Sequence, residues 1–522
     1  MKILKEEKGS ITLFVLMAML FFIMYLVGIY MLSTSSESSL TRETARIKEI
    51  YEQGVNNIDD VYNTLERKNK TQVNAPKLAA GMTPVKWNET EFIKTTKYDT
   101  QWYAYEDTSL DKQENTSRWA NAETEDGSMW VWIPRYAYKI NYNNLSDKSA
   151  GGTIDVVFLK DDTNKDFRGN DVTSANYVDE KGNIGAYIVH PAFKDGTKNN
   201  FANGEWDKEI TGFWMAKFEA GYAGTVGDAG SAQDSNVTIT VNNQTTNYYG
   251  TRNLGDKIKY PVFKASRPSM NYIGISDSYD LCRSLTQSGN PYGFNDKADS
   301  HLTKNSEWGA VAYLTHSKYG INGQEVRINN VYVTNNESTI WGVTGYGALA
   351  DNANQDKSRN LATLTMENAA GSWTTVNGQT ASTTKNIYGI YDLSGGLWEW
   401  TAGYIAPTSG AYITYGGKLK ENNTNSNQYK SKYEGIASTN MGNYNQTTNQ
   451  SRKGEAIWET SSNGDGISAW GDDYAFFVYS GEPFLVRGGD SSNGSGAGVF
   501  AFSRVDGSCN VYMGFRVVLI TD

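Results

Sequence analysis

Five side chains carry the sulfur and imidazole groups that most often hold soft metals or act as nucleophiles: Cys282, Cys509, His190, His301 and His316. Their spacing builds no recognisable site. A CxxC-type metal or redox pair needs adjacent thiols, and these two are far apart in the chain. No HxH or HExxH spacing brings two imidazoles onto one face. His190 in "YIVHPAF" reads as a packed strand residue, and His316 in "AYLTHSKYG" as a helix-end residue. The cysteines fit either one long-range disulfide or two free thiols. A nucleophile elbow, a P-loop and a paired-carboxylate motif are not recognisable. The sequence therefore assigns no catalytic residue, no metal ligand and no cofactor.

The least regular stretch of the sequence lies near the end of the chain. Residues 484–520 read "FLVRGGDSSNGSGAGVFAFSRVDGSCNVYMGFRVVLI". Two apolar runs carrying "RGG" and "GFR" bracket a small, polar, glycine-laden middle. Gly488 and Gly489 permit a tight turn, and Gly514 another before the last strand. Arg487 and Arg516 are placed to meet buried carboxylates or carbonyls, with Glu399 the expected partner of one of them. The runs 497–502 and 514–520 read as strands that complete a core. The middle then falls on a loop-dominated face, where binding residues sit on a rigid scaffold. Tyrosine supplies contact area at low entropic cost, while serine and asparagine adapt their hydrogen bonds.

A scaffold able to hold such loops is legible upstream. The chain has 522 residues, rich in glycine (51) and tyrosine (34) and poor in proline (9), which predicts a loop-rich, aromatic-cored α+β protein. Its net charge is −10, and no basic stretch with interleaved aromatics occurs, so nucleic acid is not an expected partner. "SMWVWIPRYAYKI" (128–140) and "GFWMAKFEAGY" (212–222) have strand composition. A helix is predicted within 300–320, with Leu302, Trp308, Val311, Ala312 and Leu314 on its buried face and Asn305 or Ser306 near its start. Glu399 stands between Trp398 and Trp400 and needs a partner if buried. The Asn/Ser/Thr/Gly tracts at 223–255, 371–386 and 418–466 read as surface insertions.

The N-terminal part has a different character. Residues 1–10 form a short lysine-bearing leader, expected in the cytoplasm, and 11–32 are apolar almost throughout. As a helix those 22 residues rise about 33 Å, enough to cross a bilayer core, so a single-pass anchor in the cell membrane is expected. Residues 33–69 show the three-and-four spacing of an amphipathic stalk helix, through which oligomerisation is open. Residues 70–125 read as a linker and the start of the external domain, and 126–522 as the domain itself.

Several of these segments carry a resemblance. In order, "MWVWIPRYAYKI…GFWMAKFEAG", "SEWGAVAYL", "NIYGIYDLSGGLWEWTAGY" and "LVRGG…GFRVVL" resemble the formylglycine-generating-enzyme-like (sulfatase-modifying factor) family over about residues 126–520. That resemblance implies a C-type-lectin-like fold, with Trp398, Glu399, Trp400, Arg487, Gly488, Gly489, Gly514, Phe515 and Arg516 as framework. The family's oxidising members resemble one another in a copper-binding cysteine pair after "RGG". Here Asp490, Ser491, Ser492, Asn493 and Gly494 follow, and Cys509 stands alone. The leader "EKGSITLFVLMAML" resembles type IV pilin-like proteins, which implies processing between Gly9 and Ser10, although Phe14 stands where the family has glutamate.

The bracketed segment also resembles the variable region of diversity-generating-retroelement target proteins. Adenine-directed mutagenesis of asparagine-type codons yields residues such as Asn, Asp, Ser, Gly, Tyr, Val and Cys, but not Lys, Gln, Glu, Met or Trp. Between Arg487 and Arg516 only Met513 breaks that rule, which makes it expected framework. The resemblance implies Asp490, Ser492, Asn493, Ser503, Val505, Asp506, Asn510, Val511 and Tyr512 as the candidate ligand contacts. The implied function is a non-catalytic, membrane-anchored surface protein that displays a diversified C-type-lectin-like domain to an external protein, glycan or phage ligand. The alternatives are an exported formylglycine-generating-enzyme-like oxidase and a minor pilin-like adhesin.

Overall fold

The computed structural model describes residues 72–521, apart from 109–115, 197–203, 222–236, 242–243, 249–259, 268, 272, 336–337, 349–370 and 422–425, together with residues 19–21, 23 and 48. The leader with Gly9 and Ser10, and nearly all of the expected anchor and stalk, lie outside the described residues. The placement in the cell membrane is corrected here. Among the described residues no helix is long and apolar enough to cross a membrane, so the single-pass anchor is set aside.

Thr71–Asp522 forms one compact α+β unit rich in sheet. Its strands are β1 (Thr83–Trp87), β2 (Phe92–Lys94), β3 (Asn121–Glu123), β4 (Met129–Pro134), β5 (Tyr136–Tyr142), β6 (Gly152–Phe158) and β7 (Ile188–Val189). These are followed by β8 (Gly212–Ala216), β9 (Val237–Val241), β10 (Gln244–Tyr248), β11 (Ala298–Leu302), β12 (Tyr332–Asn335) and β13 (Ser338–Trp341). The last are β14 (Trp398–Tyr404), β15 (Ser431–Lys432), β16 (Phe484–Arg487), β17 (Phe502–Val505), β18 (Met513–Phe515) and β19 (Val517–Thr521). The longer helices are α1 (Ile275–Arg283) and α2 (Asn305–His316).

The largest sheet runs β11-β19-β8-β4-β3-β1-β2, antiparallel throughout. Its first strands precede residue 126, so the segment read as a linker contributes three strands to it. A second sheet runs β15-β14-β16-β17, with β18 alongside β14. Trp130, Trp132, Trp214, Trp308 and Trp400 are fully buried in the core. The helix expected within 300–320 begins five residues later, because Ser300–Leu302 is drawn into the sheet as β11. Every residue of α2 is buried, and its first-turn Glu307 accepts from the Lys304 amide (2.9 Å) and meets His301 Nε2 (2.9 Å).

Two predicted single strands are each split at a buried arginine. After Pro134 the chain leaves the large sheet at Arg135 and enters a small sheet of β5, β6 and β7. After Phe515 it leaves the second sheet at Arg516 and enters the large one as β19. At such a switch neighbouring carbonyls lose their ladder partners, and a guanidinium supplies the missing donors. Arg135 donates to Phe193 O (2.8 Å) and pairs closely with Glu209, and Arg516 donates to Ala216 O and Tyr391 O (both 2.8 Å). The third expected strand, 497–502, is mostly turn. Only its last residue opens a strand, β17.

Of the tracts read as surface insertions, 418–466 is corrected most: Leu419, Tyr433, Ala456, Ile457 and Trp458 belong to the core. Their spacing is irregular because short turns bury them one at a time, without strand or helix periodicity. His190 sits among Tyr136, Tyr138, Phe193 and Tyr313, and burial pushes its imidazolium down to about 3. The unfolded chain therefore takes up this proton first as the medium is acidified. Stability from neutral His190 is complete above the ordinary histidine range and is lost as pH falls from there towards 3, by up to about 1.4 kcal/mol per pH unit. His190→Gln should flatten that slope in urea unfolding measured across the window. An unchanged slope would contradict the assignment.

Candidate binding surface

The site is built outward from β14, "WEWTAGY". β16 lies antiparallel on one side, with Glu399 opposite Arg487, and β18 lies parallel on the other, with Glu399 opposite Gly514. The two bracket motifs thus flank the same central strand. Glu399 and Arg516 form a fully buried ion pair at 2.6 Å, with a second contact from Arg516 Nε at 3.0 Å. Burial lifts the Glu399 carboxyl to about 7, and the Arg516 charge opposes that rise. Arg487 turns elsewhere, donating to Glu455 O (3.2 Å) and Ala456 O (3.1 Å) with its plane between Trp308 and Phe502. Burial pushes its guanidinium down to about 10.

The glycine pair after Arg487 meets the glycine pair before Leu397. Gly395 donates its amide to Gly488 O (3.1 Å), and Ser491 donates to Gly396 O (3.0 Å). Gly488 and Gly489 have φ of +88° and +80°, where a side chain is strained. A Cβ on Gly489 would also lie 2.5 Å from the Ala497 Cβ.

These contacts gather part of the candidate set at one end of the sheet, around Trp398. The Trp398 amide donates to Tyr512 O (2.8 Å), and its indole stacks on Tyr474. The loop 490–493 and residues 511–512 therefore approach the same strand end. Ser492 and Asn510 are exposed, while Asn493, Val511 and Tyr512 are half-buried. Asp490 is buried, and its carboxylate accepts from the Ser492 amide (2.7 Å) and hydroxyl (2.5 Å). Burial raises its pKa. Asp490 holds the turn, and Asn493 assists by accepting from the Asp490 amide (2.8 Å).

The remaining candidates are not part of this cluster. Ser503 and Val505 lie along edge strand β17, opposite Val486 and Phe484, and Val505 packs on the core. Asp506 follows beyond Val505, accepting from the Ser508 amide and hydroxyl (2.9 and 2.7 Å). Two exposed residues of the segment were not among the candidates, Ser495 and Cys509. Both are residue types the mutagenesis rule yields, so the same compositional signal marks them.

Neither cysteine is in a disulfide: Cys282 is buried and Cys509 exposed. Burial raises the Cys282 thiol well above its ordinary range. It also raises Cys509, with the charges of Asp277 and Asp506 adding to the effect. A thiol reagent should therefore label Cys509 alone, and slowly, in the native protein, with Cys282 reacting only on unfolding. Native labelling of Cys282, read by peptide mass spectrometry, would contradict this arrangement.

No family model matches the chain, and no curated protein matches it. Among solved structures it is similar to Treponema denticola variable protein 1, at 13% identity, covering 59% of this chain and 95% of that one, with a TM-score of 0.20. A score that low carries no argument about fold or function.

Proposed function

We propose that this protein binds an external ligand without chemistry, through a C-type-lectin-like domain whose C-terminal segment is diversified between fixed brackets. The observation that carries the reading is a contrast within thirty residues. Arg487 and Arg516 are fully buried and hydrogen-bonded across the core, while Ser492, Ser495, Cys509 and Asn510 between them are exposed. A rigid frame around replaceable loop residues is what a varied binding surface requires. The composition agrees: among residues 487–516 only Met513 departs from the adenine-directed set, and it is buried in β18, opposite Trp398, as a framework residue would be. The ligand is a protein, a glycan or a phage surface.

The test is genetic. A reverse transcriptase gene and a near-copy of the segment, differing from it only at adenines, should lie beside this gene. A neighbourhood lacking both would overturn diversification and leave an ordinary surface loop.

A further inference from the structure

A cavity of about 450 Å³ opens beside the first turn of α2, away from the loops around Trp398, lined in part by Ser306, Glu455, Arg452, Glu205, Lys194 and Lys453. Ser306 and Glu455 each bring a buried oxygen to the cavity, and the Tyr433 hydroxyl also bears on the Glu455 carboxyl. Ser306 and Glu455 are 2% and 4% exposed, yet Ser306 Oγ and Glu455 Oε2 accept and donate nothing. The other Glu455 oxygen meets Arg452 at 3.4 Å, and the Glu455 carbonyl is held by Arg487 at 3.2 Å. The floor is therefore fixed by the core. An orphaned, buried carboxylate oxygen is costly unless a donor reaches it. The cations Lys194 and Lys453 stand at the exposed rim beside the carboxylates of Asp195 and Glu434, and the Lys453 ammonium, on a side chain 44% exposed, lies 3.9 Å from Glu459.

Unpartnered acceptors at the floor and lysines at a rim of mixed charge can meet the two opposite ends of one ligand. We propose that this cavity binds a small zwitterion, its ammonium on Glu455 and Ser306 and its carboxylate on Lys194 and Lys453. An ammonium supplies the N–H donors that both floor oxygens lack, and the Glu205 carboxylate adds to its attraction. A simple anion would face the floor carboxylate, and a simple cation would meet the repulsion of Lys194 and Lys453 with nothing to offset it. Burial raises the Glu455 carboxyl against the opposing pull of Arg452, Tyr433 and Arg487, so acidification should discharge it early and weaken binding. The proposal is independent of whether the C-terminal segment is diversified.

The experiment titrates the full chain with ω-amino acids from glycine to 6-aminohexanoate, using calorimetry and ligand-observed NMR. The alkylamine and the carboxylate of each length serve as controls. One or two lengths should bind at least about tenfold more tightly than either control, and Glu455→Gln should abolish that preference. Lys453→Ala, at the exposed rim, carries the same test if Glu455→Gln does not fold: it should lower affinity for the amino acid while sparing the alkylamine. The proposal fails if no length binds. It also fails if a control binds equally well, or if Lys453→Ala leaves the preference intact.

Discussion

Arg516→Met should destabilise the protein by about 3–5 kcal/mol, because it strands a buried carboxylate. Arg516 is fully buried, pairs with Glu399 at 2.6 Å, and donates to two carbonyls from the adjoining elements. Burial already raises Glu219, Asp392 and Glu399, and the Arg516 charge opposes that rise at all three. The pH dependence follows from the sign of that shift. A carboxyl raised in the folded state favours folding when protonated, and that advantage is lost as pH rises through its folded value, about 7 for Glu399. Removing Arg516 raises that value further, so the mutant's deficit should shrink in acid, where Glu399 is protonated in both proteins. Urea unfolding at about pH 5 and about pH 8 reads both effects. A pH-independent loss under about 1 kcal/mol would show that the pair does not hold the sheets together.

Gly489→Ala should cost about 2–4 kcal/mol, combining a left-handed backbone strain of about 1–2 kcal/mol with overpacking against Ala497. Ser492→Ala, three residues further on, gives up one hydroxyl donor to Asp490 and should cost about 0.5–1.5 kcal/mol, while Asn510→Ala, twenty-one residues on, should stay within about 0.5 kcal/mol of the parent. The comparison matters more than either number. It places a steep boundary in mutational tolerance between Gly489 and Ser492, inside a single turn. Thermal unfolding of the three variants measures it, and equal losses at Gly489 and Ser492 would remove the boundary.

The sequence shows the framework better than the surface. Aromatic alternation and the paired glycines locate β4, β8, β14 and the turn after Arg487, because each follows from local chemistry. Which arginine meets Glu399 is not local. Strand register sets Glu399 opposite Arg487, yet Arg516 takes the carboxylate while Arg487 reaches the carbonyls of Glu455 and Ala456. That choice depends on the 418–466 tract, whose core residues are hidden among asparagines, serines and glycines. The same limit applies to the contact set. Asp490 has the composition of a binding residue, but its neighbour Ser492 turns it inward as the acceptor of a tight turn. Ser503 and Val505 share the segment with Ser492, but hairpin pairing with β16 carries them along an edge strand.

The most direct measurement is deep sequencing of this gene from many cells of one population and its sibling strains. Diversification predicts substitutions concentrated in codons 490–512, at adenines, above all at Ser492, Asn493, Asn510 and Tyr512. Arg487, Gly488, Gly489, Met513, Gly514, Phe515 and Arg516 should remain constant. Substitutions spread evenly along the chain, or reaching the bracket codons as often as the codons between them, would contradict it.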